Sequence, residues 1–423
     1  MWGKGSPDGK PHPEWQELLA RDWAELGMTK VHFYAYPEGA GSSNRNYTLS
    51  ETARAGTREF MLACQKSNLK IGLRVDLPCT TYDKNGHPAA DYWIAHPNNP
   101  DNELKPYFGW LAELITLMKG RLEYVILGDE LEWKIGSDPK AWNAEVYLKF
   151  FRQAAEVVHQ ADPAIKISMY STTPSRWRDV LSLLESGYAK YGDGVAINHY
   201  DYKVLKRFKE DLKTHSPDKK LLFLSNGVGY IACDTTERNP PKDGYRRYND
   251  LDQAAMIART MYTWWDVDAD VAPYYICLRT MIYRGKRMPH WYGFLGFMDF
   301  IIDDKDQATI KHYPGWHAFQ TVAQVFHDRA AFGDPAFAIE SNPPSQYVKA
   351  HERKGKELLL ICWGEGKTNL RIASKDYGYP VRIDLLDYQK WQDQPGTKDD
   401  DGVTLTDVPL ALAPTLIRLV RNP

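Results

Sequence analysis

The stretch NELKPYFGWLAELITLMKGRLEYVILGDE, residues 102–130, decides the fold. Its first part, Asn102–Met118, repeats apolar residues at helical spacing and stops at Gly120, a residue suited to closing a helix. The apolar run Tyr124–Leu127 follows, then Gly128 and two acids, Asp129 and Glu130. A short unbroken apolar run reads as a strand buried on both faces. Two carboxylates at the end of such a strand are costly unless they are paired or used. The stretch is therefore a helix, a turn, a buried strand and a charged strand end.

The same unit recurs on either side. Further helices are expected at Glu14–Leu26, Leu49–Gln65, Trp142–Gln160, Ser175–Ser186, Val204–Lys213, Leu251–Trp265 and Gly315–Phe326. Further strands are expected at Lys30–Tyr36, Lys70–Leu77, Ile165–Tyr170, Gly194–His199, Leu221–Ser225 and Tyr274–Leu278. Such alternation points to an α/β fold with a parallel sheet. The rival is an open doubly wound sheet, but no GxGxxG or P-loop accompanies any strand. A closed (β/α)8 TIM barrel needs one more strand before Glu14. Either Met1-Trp2-Gly3 is its tail or the natural chain extends upstream, and the second is favoured.

After Arg329 the helical spacing disappears. Alternating strands are expected at Gln346–His351, Glu357–Trp363, Asn369–Ala373, Val381–Leu385, Val403–Thr406 and Thr415–Val420, a small C-terminal antiparallel β-sandwich. The expected division is a barrel at 1–330 and a sandwich at 331–423, joined by a linker at Ala331–Pro344. Asp399-Asp400-Asp401 reads as a solvated turn.

Composition narrows the function. Hydrophobic residues make up 43% of the 423 residues and charged residues 26%, which suits a large folded core. The net charge of -2 supplies no basic excess for nucleic acid. No run approaches the ~18 apolar residues of a membrane helix. Cys64, Cys79, Cys233, Cys277 and Cys362 form no CxxC pair or zinc pattern; Cys64, Cys277 and Cys362 sit among apolar residues and read as small hydrophobes. No signal peptide opens the chain, and a processed secreted or periplasmic enzyme would look the same, so the compartment stays open.

In a barrel of this kind, chemistry sits at the C-terminal ends of the strands. Those ends offer His32, Tyr34, Tyr36 and Glu38; Arg74 and Asp76; Asp129, Glu130, Glu132 and Trp133; Asn198, His199, Tyr200 and Asp201; Ser225 and Asn226; and Arg279. There is no nucleophile elbow and no Ser-His-Asp order. His32, Asp76, Glu130 and His199 suggest a metal site, but their strands carry no HxH pair, so neither metal nor cofactor is expected. Carboxylates among aromatics suit glycosidic cleavage, which needs an acid for the leaving oxygen and support for an oxocarbenium-like state. Tyr34, Tyr36, Trp133, Tyr200, Tyr202, Trp264 and Trp291 are candidates for stacking on a sugar face, and Arg74 and Arg279 for reading an acidic sugar.

Three segments carry a family resemblance. Residues 119–130 resemble the clan A glycoside hydrolase stretch that ends in Asn-Glu on the fourth barrel strand. The sequence Val195-Ala196-Ile197-Asn198-His199-Tyr200 is similar to the sixth-strand pattern whose His and Tyr line the site. Residues 220–230, with Ser225-Asn226-Gly227-Val228-Gly229-Tyr230, resemble the seventh-strand pattern Thr-Glu-x-Gly-Tyr. The tail Val381–Val420 is similar to the C-terminal sandwich of xylosidase- and iduronidase-like members. The resemblance implies a glycoside hydrolase acting on carbohydrate, with Glu130 as acid/base. It also exposes two departures: Asp129 stands for the family Asn, and Asn226 for the nucleophilic Glu. An amide forms no glycosyl ester, so ordinary retention, with carboxylates about 5–5.5 Å apart, is in doubt.

Four explanations follow. A substrate 2-acetamido group serves as nucleophile, oriented by Asp129, as in β-hexosaminidases that carry Asp-Glu at this position. Alternatively the enzyme inverts, with Glu132, Asp76 or Glu38 activating water. Another acid is the nucleophile in a third. In the fourth, the chain is a catalytically inactive carbohydrate-binding barrel, or Asn226 was introduced to trap substrate. Alternation along a strand puts neighbours on opposite faces, so an Asp129 turned out of the mouth would count against the substrate-assisted route.

Overall fold

The structure is a computed structural model that describes residues 12–35, 47–75, 104–129, 144–199, 201–227, 231–233, 246–271, 278–289, 296–343, 347–353 and 355–422. Contacts divide the chain into one unit of Met1–Val228 with Ala269–Tyr275 and another of Gly229–Asp268 with Ile276–Pro423.

Among the described residues, α-helix and strand alternate through the first unit: α1 (Pro13–Glu25), β1 (Lys30–Ala35), α2 (Glu51–Lys66), β2 (Lys70–Val75), α3 (Leu104–Leu117), β3 (Leu122–Asp129), α4 (Ala144–Ala161), β4 (Lys166–Thr172), α5 (Trp177–Glu185), β5 (Gly194–Asn198), α6 (Tyr202–His215) and β6 (Leu222–Gly227). The starts of α2 and α6 are capped by side chains. The Ser50 hydroxyl accepts from the Ala53 amide at 3.2 Å, and the Asp201 carboxylate accepts from the Val204 amide at 3.0 Å.

The six strands form one parallel sheet in the order β1-β2-β3-β4-β5-β6, and a bridge from Leu224 to Val271 continues it. A doubly wound sheet reverses its strand order at a switch point. Here every strand lies beside its predecessor, the winding of a (β/α)8 TIM barrel. The expected strand at Met1-Trp2-Gly3 lies outside the described residues, as does Tyr274–Leu278 except for Leu278.

The sheet has two apolar faces. On the outer one, Val31, Leu73, Val125, Leu127, Ile167, Val195 and Ile197 are buried, and the Phe33 ring packs at a tilt against Phe60 of α2, their centres 5.1 Å apart. On the inner one, Tyr124, Ile126, Ala196, Leu224 and Val271 form a core of their own. Across it, His32 pairs in register with Gly72, and Gly72 with Tyr124. A Cβ at Gly72 would lie 2.2 Å from the Tyr124 ring. The glycine is the gap through which that ring crosses a strand to reach His32. Gly72→Ala should therefore lower stability by about 1–3 kcal/mol. Urea unfolding checks this, and Gly72→Ala/Tyr124→Ala should cost less than the sum of its singles.

The second unit begins with a parallel pair, β7 (Ile231–Cys233) and β8 (Arg246–Tyr248), and α7 (Asp250–Asp266), capped by Asn249. Next come β9 (Leu278–Tyr283), β10 (Lys286–Pro289), β11 (Met298–Ile302) and β12 (Ala308–His312), a sheet in the order β10-β9-β11-β12 that the sequence reading does not anticipate. Arg284 and Gly285, at φ 47° and 73°, make the tight turn between β9 and β10. Helix α8 (Pro314–Val325) is the last.

The remainder is β: β13 (Phe332–Gly333), β14 (Ile339–Asn342), β15 (Tyr347–Arg353), β16 (Glu357–Trp363), β17 (Gly366–Ile372), β18 (Tyr377–Asp384), β19 (Asp387–Asp393), β20 (Gly396–Asp399), β21 (Gly402–Leu410) and β22 (Thr415–Arg421). These make two antiparallel sheets, β13-β15-β16-β22-β18-β19 and β14-β17-β21-β20. Leu358, Leu360, Leu370, Ile372, Leu405, Ile417 and Leu419 fill the space between them, the expected small C-terminal sandwich. The expected linker at Ala331–Pro344 is corrected: it contains β13 and β14, whose short strands carry too few residues to show a period. Asp399 does close a turn, accepting from the Asp401 and Gly402 amides. Cys64 and Cys362 are fully buried, and burial pushes both thiols up to about 12; Cys277 lies outside the described residues.

The other face of the larger sheet packs on α7 and α8 around a buried polar group. His351 Nε2 meets the Tyr262 hydroxyl at 2.6 Å and Asp266 at 3.5 Å. Burial, partly opposed by Asp266, pushes the imidazole down to about 4. The native state thus holds it neutral, while the unfolded chain takes up a proton near pH 6.5. Its stabilising contribution is complete above pH 6.5 and is lost as pH falls towards 4. The melting temperature of the wild type should therefore drop more steeply between pH 7 and pH 4.5 than that of His351→Gln.

Candidate active site

Four candidate residues of the first unit, His32, Tyr34, Arg74 and Asp129, gather on the sheet's inner face towards the C-terminal ends of β1–β3. From β1 come His32 and Tyr34. His32 shares a hydrogen bond with the Tyr124 hydroxyl, and burial together with the Arg74 charge pushes its imidazole down to about 3. It is a neutral ring at ordinary pH. Burial holds the Tyr124 phenol well above its usual range.

From β2 comes Arg74, 4% exposed, its guanidinium 3.7 Å from the centre of the Tyr34 ring. Arg74 Nη1 lies 2.7 Å from Asp129 Oδ2, and the Ser171 hydroxyl donates to Asp129 Oδ1 at 2.6 Å. Asp129 is thus held at both oxygens, by a cation on one side and a hydroxyl on the other.

Regular alternation does not produce this arrangement. Tyr124 and Ile126 face inward, so Asp129 would face the helices. Gly128, at φ 107°, breaks the alternation just before Asp129. On β4 the register with β5 shifts between Ser168 and Ser171: Ser168 pairs with Gly194, and Ser171 with Ala196 of the inner core. Such irregularities re-aim side chains next to sites. Two adjacent strands each carry one, and together they bring Asp129 and Ser171 to the face that holds Arg74. Ser171 is absent from the sequence-derived candidates. The apolar-polar pattern of KISMYST gives no warning of the slip that turns it inward.

At the end of β5, Asn198 is 7% exposed. His199 follows, its pKa lowered by burial against the opposing pull of Asp201. Asp201 caps α6, and Tyr202 is the first residue of that helix, half-buried. Asn226 belongs to β6, next to last in the strand. Glu130, Glu132 and Trp133, with Tyr36, Glu38, Asp76, Tyr200 and Trp291, lie outside the described residues.

Two expectations are corrected in the second unit. Trp264 sits on α7 with 1% exposure, closed to any stacking sugar. Arg279 is committed to its own fold. It contacts Asp250 at 2.8 Å, Gln253 at 3.1 Å and the Gly296 carbonyl at 3.1 Å, and lies 3.7 Å from the Tyr313 ring centre. Gly296 permits this approach, since a Cβ there would lie 2.3 Å from the Arg279 amide. Among the described residues no helix is long and apolar enough to cross a membrane, and no group of three or more His, Cys, Asp or Glu is placed to hold a metal ion.

No family model matches the chain, and no curated protein matches it in sequence. Solved structures do. A glycoside hydrolase family 30 subfamily 8 xylanase from Clostridium acetobutylicum aligns over 96% of this chain and 92% of its own, with a TM-score of 0.56 and 12% identity. A family 51 α-L-arabinofuranosidase from Bifidobacterium longum aligns over 100% and 93%, with a TM-score of 0.55 and 12% identity. A GH5_18 protein from Streptomyces cattleya, in complex with GlcNAc, aligns over 75% and 76%, with a TM-score of 0.51 and 11% identity. At such identities the likeness is one of fold, a (β/α)8 barrel with a C-terminal β-sandwich.

Proposed function

We propose that the chain is a glycoside hydrolase cleaving O-glycosidic bonds in an oligo- or polysaccharide, with Glu130 as general acid/base and residues 1–330 as the barrel that carries the site. The observation that carries this reading is the inward Asp129, held by Arg74 and Ser171 at the end of β3, directly before Glu130. A buried ion pair adds little to stability over a packed apolar pair. Two strand irregularities spent on placing one therefore point to use.

A carboxylate beside a guanidinium accepts hydrogen bonds and donates none. That is the group needed to hold the N–H of a 2-acetamido sugar while its carbonyl oxygen attacks the anomeric carbon. The inward Asp129 thus favours the substrate-assisted route over one that needs a protein nucleophile at Asn226. Tyr34, Asn198, His199, Tyr200, Tyr202, Trp133 and Trp291 would line the bound sugar. Glu132, Asp76 and Glu38 are the water-activating bases if the enzyme inverts.

The test is a panel of aryl glycosides that includes N-acetylhexosaminides. Turnover that requires the 2-acetamido group, with proton NMR showing a first-formed anomer of retained configuration, supports assistance; inversion excludes it. A second reading, an inactive carbohydrate-binding barrel, is favoured by Asn226 alone. Tight oligosaccharide binding without any turnover would establish it.

A further inference from the structure

We propose that the edge hairpin β18–β19 of the sandwich is a second carbohydrate site, an aromatic surface that holds a neutral polysaccharide chain; the choice of ligand rests on the glycoside hydrolase reading. Two aromatic rings stand among the exposed large hydrophobic residues of the described chain, Tyr379 at 78% and Trp391 at 60%. Both belong to this one hairpin. Isolated exposed apolar residues need no explanation. These two differ in position and in the backbone used to display them.

Strand β19 lies at the end of its sheet, and Gln389, Lys390, Trp391, Gln392 and Asp393 are exposed in succession. Side chains on both faces of the strand are therefore open from Gln389 to Asp393, while Ile383 on the neighbouring strand stays buried against the helices. Natural sheets guard such edges with charges and bulges rather than large apolar rings, because an open edge recruits other chains. Tyr379 sits in a register shift between Gly378 and Val381, at φ 49°. That conformation is unfavourable for a residue with a Cβ, and glycine is its usual occupant. Strain retained at an exposed ring is a reason to look for a ligand.

Trp391 pairs in register with Ile383, four residues along β18 from Tyr379. Because the bulge takes up one residue between them, the two ring positions are separated by roughly 10 Å of strand, a span suited to a chain of linked rings rather than a single sugar. Gln389 and Gln392 flank Trp391 with amides that both donate and accept, as hydroxyl-rich ligands require. Lys390 is paired with Asp387 at 3.0 Å. The hairpin strands carry Arg382 and Lys390 against Asp384, Asp387 and Asp393, so no cation excess draws a polyanion. Ring faces, amides and balanced charge fit a neutral glycan.

Affinity electrophoresis of the full chain tests this, in native gels cast with soluble xylan, glycol chitin or laminarin. The wild type should be retarded by at least one of them. Trp391→Ala and Tyr379→Asn, the second chosen because Asn tolerates positive φ, should together weaken retardation about tenfold in apparent Kd. Their unfolding midpoints should match the wild type. Glu130→Gln should be retarded like the wild type, which separates this site from catalysis; retardation without turnover of any glycoside would sink the hydrolase reading and keep this one. No retardation of the wild type in any gel, or undiminished retardation of the double variant, overturns the proposal. So does a wild-type dimer in sedimentation that dissociates in Trp391→Ala, which would give the edge to a second copy.

Discussion

Glu130→Gln should lower turnover of glycosides with poor leaving groups by two to four orders of magnitude, the usual contribution of a positioned general acid. Glutamine fills nearly the same volume and keeps a carbonyl acceptor, but it has no acidic proton to give. Binding should survive, so KM should change far less than kcat. The unfolding midpoint should stay near that of the wild type, since the substitution removes a charge instead of stranding one. An equal fall in stability and turnover would mean that Glu130 serves the fold.

The second large effect is structural. Arg74 has a side chain only 5% exposed, and Asp129, 19% exposed, supplies its countercharge. In Asp129→Ala the guanidinium stays buried without that anion. The expected cost is about 3–5 kcal/mol, the range for breaking one partner out of a buried pair. Asp129→Asn keeps the shape and an acceptor for the Ser171 hydroxyl, so it should cost less. Removing both charges in Arg74→Met/Asp129→Leu should recover most of the stability lost in Asp129→Ala, because apolar packing replaces a buried pair at little net cost. Urea midpoints of the three variants check the order. A fully stable Asp129→Ala would show that the pair is not what holds Arg74 in place.

Much of the barrel is legible in the sequence. All eight helices expected from apolar spacing are present among the described residues, with ends within two residues of those expected. The reason is local: apolar periodicity, capping residues such as Ser50 and Asp201, and the glycines after α1 and α3 are written within each segment. The parallel strands are legible for the same reason, since strands buried on both faces are unbroken apolar runs.

What the sequence hides depends on single backbone angles and on distant partners. Period-two alternation places Asp129 on the wrong face. One positive φ at Gly128 reverses it, and nothing distinguishes that glycine from an ordinary strand breaker until its conformation is known. Arg279 looks like a free rim cation, yet its partners Asp250 and Gln253 come from the first turn of α7, more than twenty residues away. Trp264 looks like a sugar platform because composition carries no information on burial. The sheet β9–β12 is made of strands of four to six residues, too short for a period to emerge from flanking polar residues.

The most direct measurement is the leaving-group dependence of turnover in wild type and Glu130→Gln, using aryl glycosides whose phenols span a wide range of acidity. A 2,4-dinitrophenolate departs without a proton, whereas a weakly acidic phenol or a sugar hydroxyl needs one. The variant should keep near wild-type cleavage of the dinitrophenyl glycoside and lose rate progressively as the leaving group becomes more basic. A uniform loss across the series, or none at all, would contradict proton donation by Glu130.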